Sequence, residues 1–143
     1  MRKLYFLFVL QWIVTLACAQ NIVVKSHDTH IRYSGRIAMT DEAAELSWSA
    51  SSIKMNFKGT FIKTTLRDEH GYDYWNVILD GKVISVLQPD SIQKQYTLAT
   101  GLSEGSHTIE LFKRSEWAMG KTWFYGFELD KNASILLPPA QQK

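Results

Sequence analysis

The residues that could do covalent chemistry are few and lie far apart in the sequence. Pro89-Asp90-Ser91-Ile92 contains the Asp-Ser core of a Gly-Asp-Ser-type nucleophile. Such a serine needs a turn between a parallel strand and a helix, where backbone amides form an oxyanion hole. Here Pro89 stands in place of the glycine, Leu87 and Gln93–Leu98 read as strand on either side, and no helix follows. The fragment therefore reads as a loop between strands. A nucleophilic serine also needs a base, usually a histidine oriented by a carboxylate. The four histidines are His27, His30, His70 and His107, and none lies in an Asp-x-x-His block. His107 follows the Glu104-Gly105 turn and reads as a hydrogen-bonding residue at the start of a strand.

Metal and anion chemistry find equally little. His27, Asp28 and His30 could bring two imidazoles near a carboxylate, but no second cluster completes a coordination shell. Asp68, Glu69 and Asp73 surround His70-Gly71; a calcium site there is conceivable, and a solvated hairpin end is the simpler reading. Glycine-rich phosphate loops are absent, and a formal charge of +2 gives no basic patch for nucleic acid. No residue set implies a cofactor.

Aromatic side chains are the remaining functional feature. Exposed Trp and Tyr can stack on the C–H face of a pyranose. Trp48, Phe57, Trp123 and Phe127 fall at alternating apolar positions and suit a core. Tyr72, Tyr74 and Trp117 stand beside Gly, Asp and Glu in loops and suit an exposed, carbohydrate-contacting platform.

The elements that must position these residues are strands. From Ile31 to Asp130 the hydrophobic period is two. Ile53, Met55 and Phe57 alternate with Lys54, Asn56 and Lys58, and Ile109 and Leu111 with Glu110 and Phe112. In the last strand Trp123, Tyr125, Phe127 and Leu129 alternate with Phe124, Gly126 and Glu128. Turn signals separate the segments, and Asp80-Gly81 between Trp75–Leu79 and Lys82–Leu87 predicts a tight hairpin. Only Asp41–Leu46 suits a brief helical turn. The pattern predicts an all-β, antiparallel β-sandwich of jelly-roll type over residues 31–130. Residues 20–30 read as a lead-in and residues 131–143 as a linker ending in a polar tail.

Residues 1–19 read as a secretory signal peptide: Arg2-Lys3, an apolar run Leu4–Leu16, then Ala17-Cys18-Ala19. The run is short for a membrane span and Gln11 interrupts it. A lipidated Cys18 is the weaker alternative, since Thr15-Leu16-Ala17 approaches such a site poorly. Cleavage after Ala19 would remove the only cysteine and take Lys+Arg from 16 to 14, against 14 Asp+Glu. The expected mature chain is thus exported, neutral and free of disulfides.

Several motifs then occur in a recognisable order. They are Tyr33-Ser34-Gly35-Arg36, Trp48, Phe57-x-Gly59, Val77-x-Leu79-Asp80-Gly81 and Leu102-x-x-Gly105-x-His107-Thr108-Ile109-Glu110-Leu111. Lys113-Arg114-Ser115-Glu116 and Phe124-x-Gly126-Phe127-Glu128-Leu129 complete the set. Over about residues 31–140 the chain resembles the N-terminal jelly-roll domain of carbohydrate esterase family 2, secreted enzymes that remove acetyl groups from xylan and related plant polysaccharides. The resemblance implies an SGNH-type hydrolase domain as partner, joined through a segment like Leu136-Leu137-Pro138-Pro139-Ala140. It places the catalytic serine and histidine in that second domain, so no catalytic residue carries over to this chain. Gly35-Arg36 and Glu116 match the module's own pattern, and an ion pair between Arg36 and Glu116 is expected. Two other readings compete with that accessory role: a free-standing carbohydrate-binding protein using Tyr72, Tyr74 and Trp117, and an unorthodox esterase using Ser91 and His107.

Overall fold

The computed structural model describes residues 19–140. Two antiparallel six-stranded sheets face each other across an apolar core. In chain order the strands are β1 (Ile22–Lys25), β2 (Arg32–Ser34), β3 (Ile37–Met39), β4 (Ala44–Leu46), β5 (Ser52–Lys58) and β6 (Ile62–Asp68). They continue as β7 (Trp75–Leu79), β8 (Lys82–Leu87), β9 (Lys94–Ala99), β10 (Ser106–Lys113), β11 (Thr122–Leu129) and β12 (Ser134–Ile135). One sheet runs β3-β4-β11-β6-β9 with β1 beside β11; the other runs β12-β5-β10-β7-β8 with β2 beside β5. The all-β jelly-roll sandwich expected from the period-two pattern is thus the architecture observed.

Alternation explains the packing. On β5, β10 and β7 the inward residues Met55, Ile109 and Leu79, then Ile53, Leu111 and Val77, sit opposite one another. From the other sheet Leu46, Ile62, Leu66, Phe124 and Phe127 close the core, with Trp75 and Phe57 among its largest buried side chains. Each such side chain taken from water contributes about 1.5–3 kcal/mol.

Three expectations need correction. The segment Asp41–Leu46 forms no helical turn: Ala44–Leu46 is β4, and the one short 3₁₀ turn among the described residues is Trp117–Met119. Trp123 lies on the outer face of its sheet, where the Arg67 guanidinium covers its ring at 4.0 Å. The cause is a bulge between Phe124 and Gly126, which reverses the alternation so that Phe124 and Phe127 both face inward. Trp48 is 44% exposed, because it lies beyond the end of β4 in the connection to β5.

Both outer segments take part in the sheets. In the expected lead-in, β1 pairs with β11 and Val24 is wholly buried. In the expected linker, β12 pairs with β5, and the Leu136 amide donates to the Asn56 carbonyl at 3.0 Å. The signal peptide expected over 1–19 lies, except for Ala19, outside the described residues. None of the described helices is long and apolar enough to cross a membrane.

Candidate functional site

The strand directions divide the loops between two poles. At one pole stand the β2–β3, β4–β5, β6–β7, β8–β9 and β10–β11 connections; the β5–β6, β7–β8 and β9–β10 connections stand at the other. Among the described residues the first pole carries all the exposed Trp and Tyr side chains: Trp117 (65% exposed), Tyr72 (61%), Tyr74 (45%) and Trp48 (44%). The platform expected from Tyr72, Tyr74 and Trp117 therefore exists as an exposed surface, and Trp48 joins it.

What holds this surface is polar and fully buried. The pattern that buries Ile109 and Leu111 on β10 turns Lys113 inward as well. Its Nζ donates to Asp73 Oδ2 at 2.6 Å, to the Gly120 carbonyl at 3.1 Å and to the Leu46 carbonyl at 3.5 Å. One ammonium thus ties together the ends of three aromatic-bearing loops. Three hydrogen bonds use all its protons, which an ion in this setting needs. With Asp73 held inward, the neighbouring Tyr72 and Tyr74 turn outward to solvent.

A second carboxylate completes the anchor. Asp68 Oδ1 accepts the backbone N–H groups of His70, Gly71 and Tyr72 at 3.1, 2.6 and 3.1 Å. The Thr122 hydroxyl lies 2.9 Å from both Asp68 Oδ2 and Asp73 Oδ2 and accepts the Trp75 indole N–H at 3.2 Å. Burial pushes the Asp73 carboxyl up, against the opposing pull of Lys113. This overturns the picture of Asp68 and Asp73 on a solvated hairpin end: of the three carboxylates only Glu69 is exposed. The Lys113 ammonium already holds Asp73 Oδ2, and the Thr122 hydroxyl stands between the two carboxylates where a calcium ion would have to sit. Among the described residues no three metal-ligating side chains converge. His30 Nδ1 instead lies 2.7 Å from Asp28 Oδ1 within one tight turn.

Around the rings the surface is mixed in charge. Tyr72, Tyr74, Arg114, Ser115, Glu116 and Met119 line an open groove of about 500 Å³. Trp48 and Trp117 brace each other with centroids 6.2 Å apart, and the Arg36 guanidinium lies 5.2 Å from the Trp48 centroid. No ion pair joins Arg36 to Glu116. Both are exposed, and the Arg36 guanidinium lies over the Trp48 indole instead, so that expected pair is not formed.

The remaining motif residues are structural. Asp80 (φ 50°) and Gly81 (φ 81°) form the hairpin turn between β7 and β8, both in the left-handed region such a turn requires. Gly35 lies between β2 and β3, and Gly105 directly precedes β10. A Cβ on Gly126 would fall onto the Val24 carbonyl oxygen of β1. His107, at the far pole, is nearly buried, with Nδ1 2.8 Å from Asp80 Oδ2 and Nε2 2.8 Å from the Ser103 carbonyl. A carboxylate and a carbonyl only accept, so both ring nitrogens donate and the histidine is held as imidazolium. The Asp80 and Ser103 bonds raise its pKa accordingly. Ser91 lies in the β8–β9 loop at the opposite pole from His107, and its Oγ meets only Asp90 Oδ1, at 3.5 Å. The two never form a nucleophile–base pair.

The carbohydrate esterase 2 N-terminal family model matches residues 33–139. The chain belongs to this family. It is 30% identical over 115 residues to the cellulase/esterase CelE of Acetivibrio thermocellus, a match covering 79% of this chain and 14% of that protein. Its fold is similar to a family two carbohydrate esterase from Cellvibrio japonicus (TM-score 0.79, 20% identity, 85% of this chain and 36% of that one). A family two carbohydrate esterase from Clostridium thermocellum, solved in complex with cellohexaose, is also similar (TM-score 0.72, 30% identity, 77% and 34%). This chain therefore spans about a third of the solved esterases and a smaller share of the curated relative. Lys113 and Trp48, both within the matched span, escaped the residue-by-residue reading as a site. The signal for Lys113 was a charged residue on the buried parity of β10.

Proposed function

We propose that this carbohydrate esterase 2 N-terminal domain is a non-catalytic module that supports and orients an SGNH-type esterase domain in a secreted polysaccharide deacetylase of the acetylxylan-esterase kind. The family match over residues 33–139 carries the reading. The site geometry agrees with it, since Ser91 and His107 stand at opposite poles and His107 is fully engaged in structural hydrogen bonds. Residues 131–143 would lead into the esterase domain, and residues 1–19 would direct export. Acetylated plant polysaccharide is the substrate class for the assembled enzyme.

Two measurements test this. The full chain should release no acetate from acetylated xylan; release that disappears in Ser91→Ala would overturn the non-catalytic reading. Exchanged for the matching domain of the Acetivibrio relative, the chain should preserve the esterase's thermal stability and activity. Loss of both to the level of the esterase domain alone would overturn the supporting role.

A further inference from the structure

The loop pole has the chemistry of a binding surface in its own right. We propose that it binds neutral polysaccharide directly, with Trp117 and Tyr72 as the stacking rings and the groove lined by Tyr72, Tyr74, Arg114, Ser115 and Glu116 as the hydrogen-bonding floor. This goes beyond the supporting role and does not depend on it.

Four observations favour a sugar chain over other occupants. Four of the exposed apolar groups here are Trp and Tyr rings, beside Met119 and Ile92, whereas branched aliphatic chains would dominate a surface for an apolar peptide or a lipid. A pyranose presents C–H bonds on its face and hydroxyls at its edge, so it matches a ring flanked by polar side chains. Arg114, Ser115 and Glu116 supply a charged donor, a hydroxyl and a charged acceptor along one groove, which suits hydroxyls that both give and take hydrogen bonds. With Arg114 and Glu116 carrying opposite charges, the groove lacks the one-sided positive charge that nucleic acid or an anionic glycan selects. Finally, the rings are preorganised. Trp48 braces Trp117, and the Lys113–Asp73 pair fixes the loop that carries Tyr72 and Tyr74, so little conformational freedom is lost on binding.

The other strong candidate surface is edge strand β8, where Val83, Ile84 and Val86 are exposed. It offers aliphatic groups without the flanking polar side chains that a sugar needs.

The test is affinity electrophoresis of the full chain through gels containing xylan, glucomannan or hydroxyethylcellulose. Retardation on at least one is expected. Trp117→Ala and Tyr72→Ala should each weaken that association about ten-fold or more, as loss of a central aromatic anchor does. Trp123→Ala, which removes an aromatic from the outer sheet face, should leave it within about two-fold, the scale of an energetically near-neutral position. Both pole residues are exposed, and near-UV circular dichroism checks that the variants stay folded. Absence of retardation on all three polysaccharides would overturn the proposal. So would retardation that survives both pole substitutions, or that Trp123→Ala reduces equally. None of these failures would touch the domain exchange that tests the supporting role.

Discussion

Lys113 Nζ and Asp73 Oδ2 lie 2.6 Å apart with both side chains wholly buried, at the base of the loops that carry Tyr72, Tyr74 and Trp117. A buried pair of this kind adds little net stability compared with apolar residues of equal shape, but removing one partner strands the other. Lys113→Met should therefore cost about 3–5 kcal/mol in urea denaturation, the usual penalty for an orphaned buried charge. Lys113→Met combined with Asp73→Asn should recover part of the loss. A single variant as stable as the wild type would show that the ammonium is dispensable.

Asp68 makes a different prediction, about one loop. Its Oδ1 collects three consecutive amides, so Asp68→Ala frees all three. Amide exchange at His70, Gly71 and Tyr72 should accelerate about ten-fold or more, through easier local opening. Exchange at Ile109 and Leu111 in the core should follow only the global stability.

The Asp80–His107 contact predicts a pH dependence. The Asp80 and Ser103 bonds raise the His107 pKa above its usual value. Burial works the other way on Asp80, but bonds from His107 and Thr108 hold its carboxyl below the ordinary range. A raised histidine contributes stability that is complete below about 6.5 and is lost as pH climbs through its folded value. A depressed carboxylate contributes stability that is complete above about 3.9 and is lost on acidification through its folded value. The wild type should thus exceed His107→Gln most between about pH 4 and 6.5, with the gap closing as pH rises through the raised folded value of His107. A pH-independent difference in melting temperature would contradict the imidazolium assignment.

Gly126→Ala tests the bulge. At φ 143° and against the Val24 carbonyl, an added methyl must move β1 away from β11. A loss of more than about 2 kcal/mol is expected, with the strain and displaced backbone acting together. Gly81→Ala meets no atom within 4 Å and should be the milder of the two.

Much of the sandwich was legible because alternation reports burial directly. Ile53, Met55 and Phe57 on β5, and the Asp80-Gly81 hairpin, behave as their residue types dictate. The misreadings have physical causes. The same alternation run through Gly126 assigns Trp123 to the core, because a bulge changes phase without changing composition. A three-residue strand such as β4 carries too little pattern to outweigh the helix-forming residues around Ala43. At the pole, the exposure of Tyr72, Tyr74 and Trp117 was visible from their loop neighbours. The convergence of Lys113 with Asp73 and Asp68 was not, because Lys113 ends a strand 40 residues beyond Asp73 in sequence. Single residues say little about which charges meet inside a fold.

The capture of three amides by Asp68 also decides what the β6–β7 loop has left to offer. Successive backbone N–H groups commonly form a cradle for phosphate, sulfate or a ligand carboxylate. Here the protein's own carboxylate already occupies that cradle from within. Outward, the loop can speak only through side chains and carbonyl oxygens. Its backbone therefore offers an anion no amide cradle, while the identities of the exposed residues at its tip can be rewritten without disturbing the scaffold below.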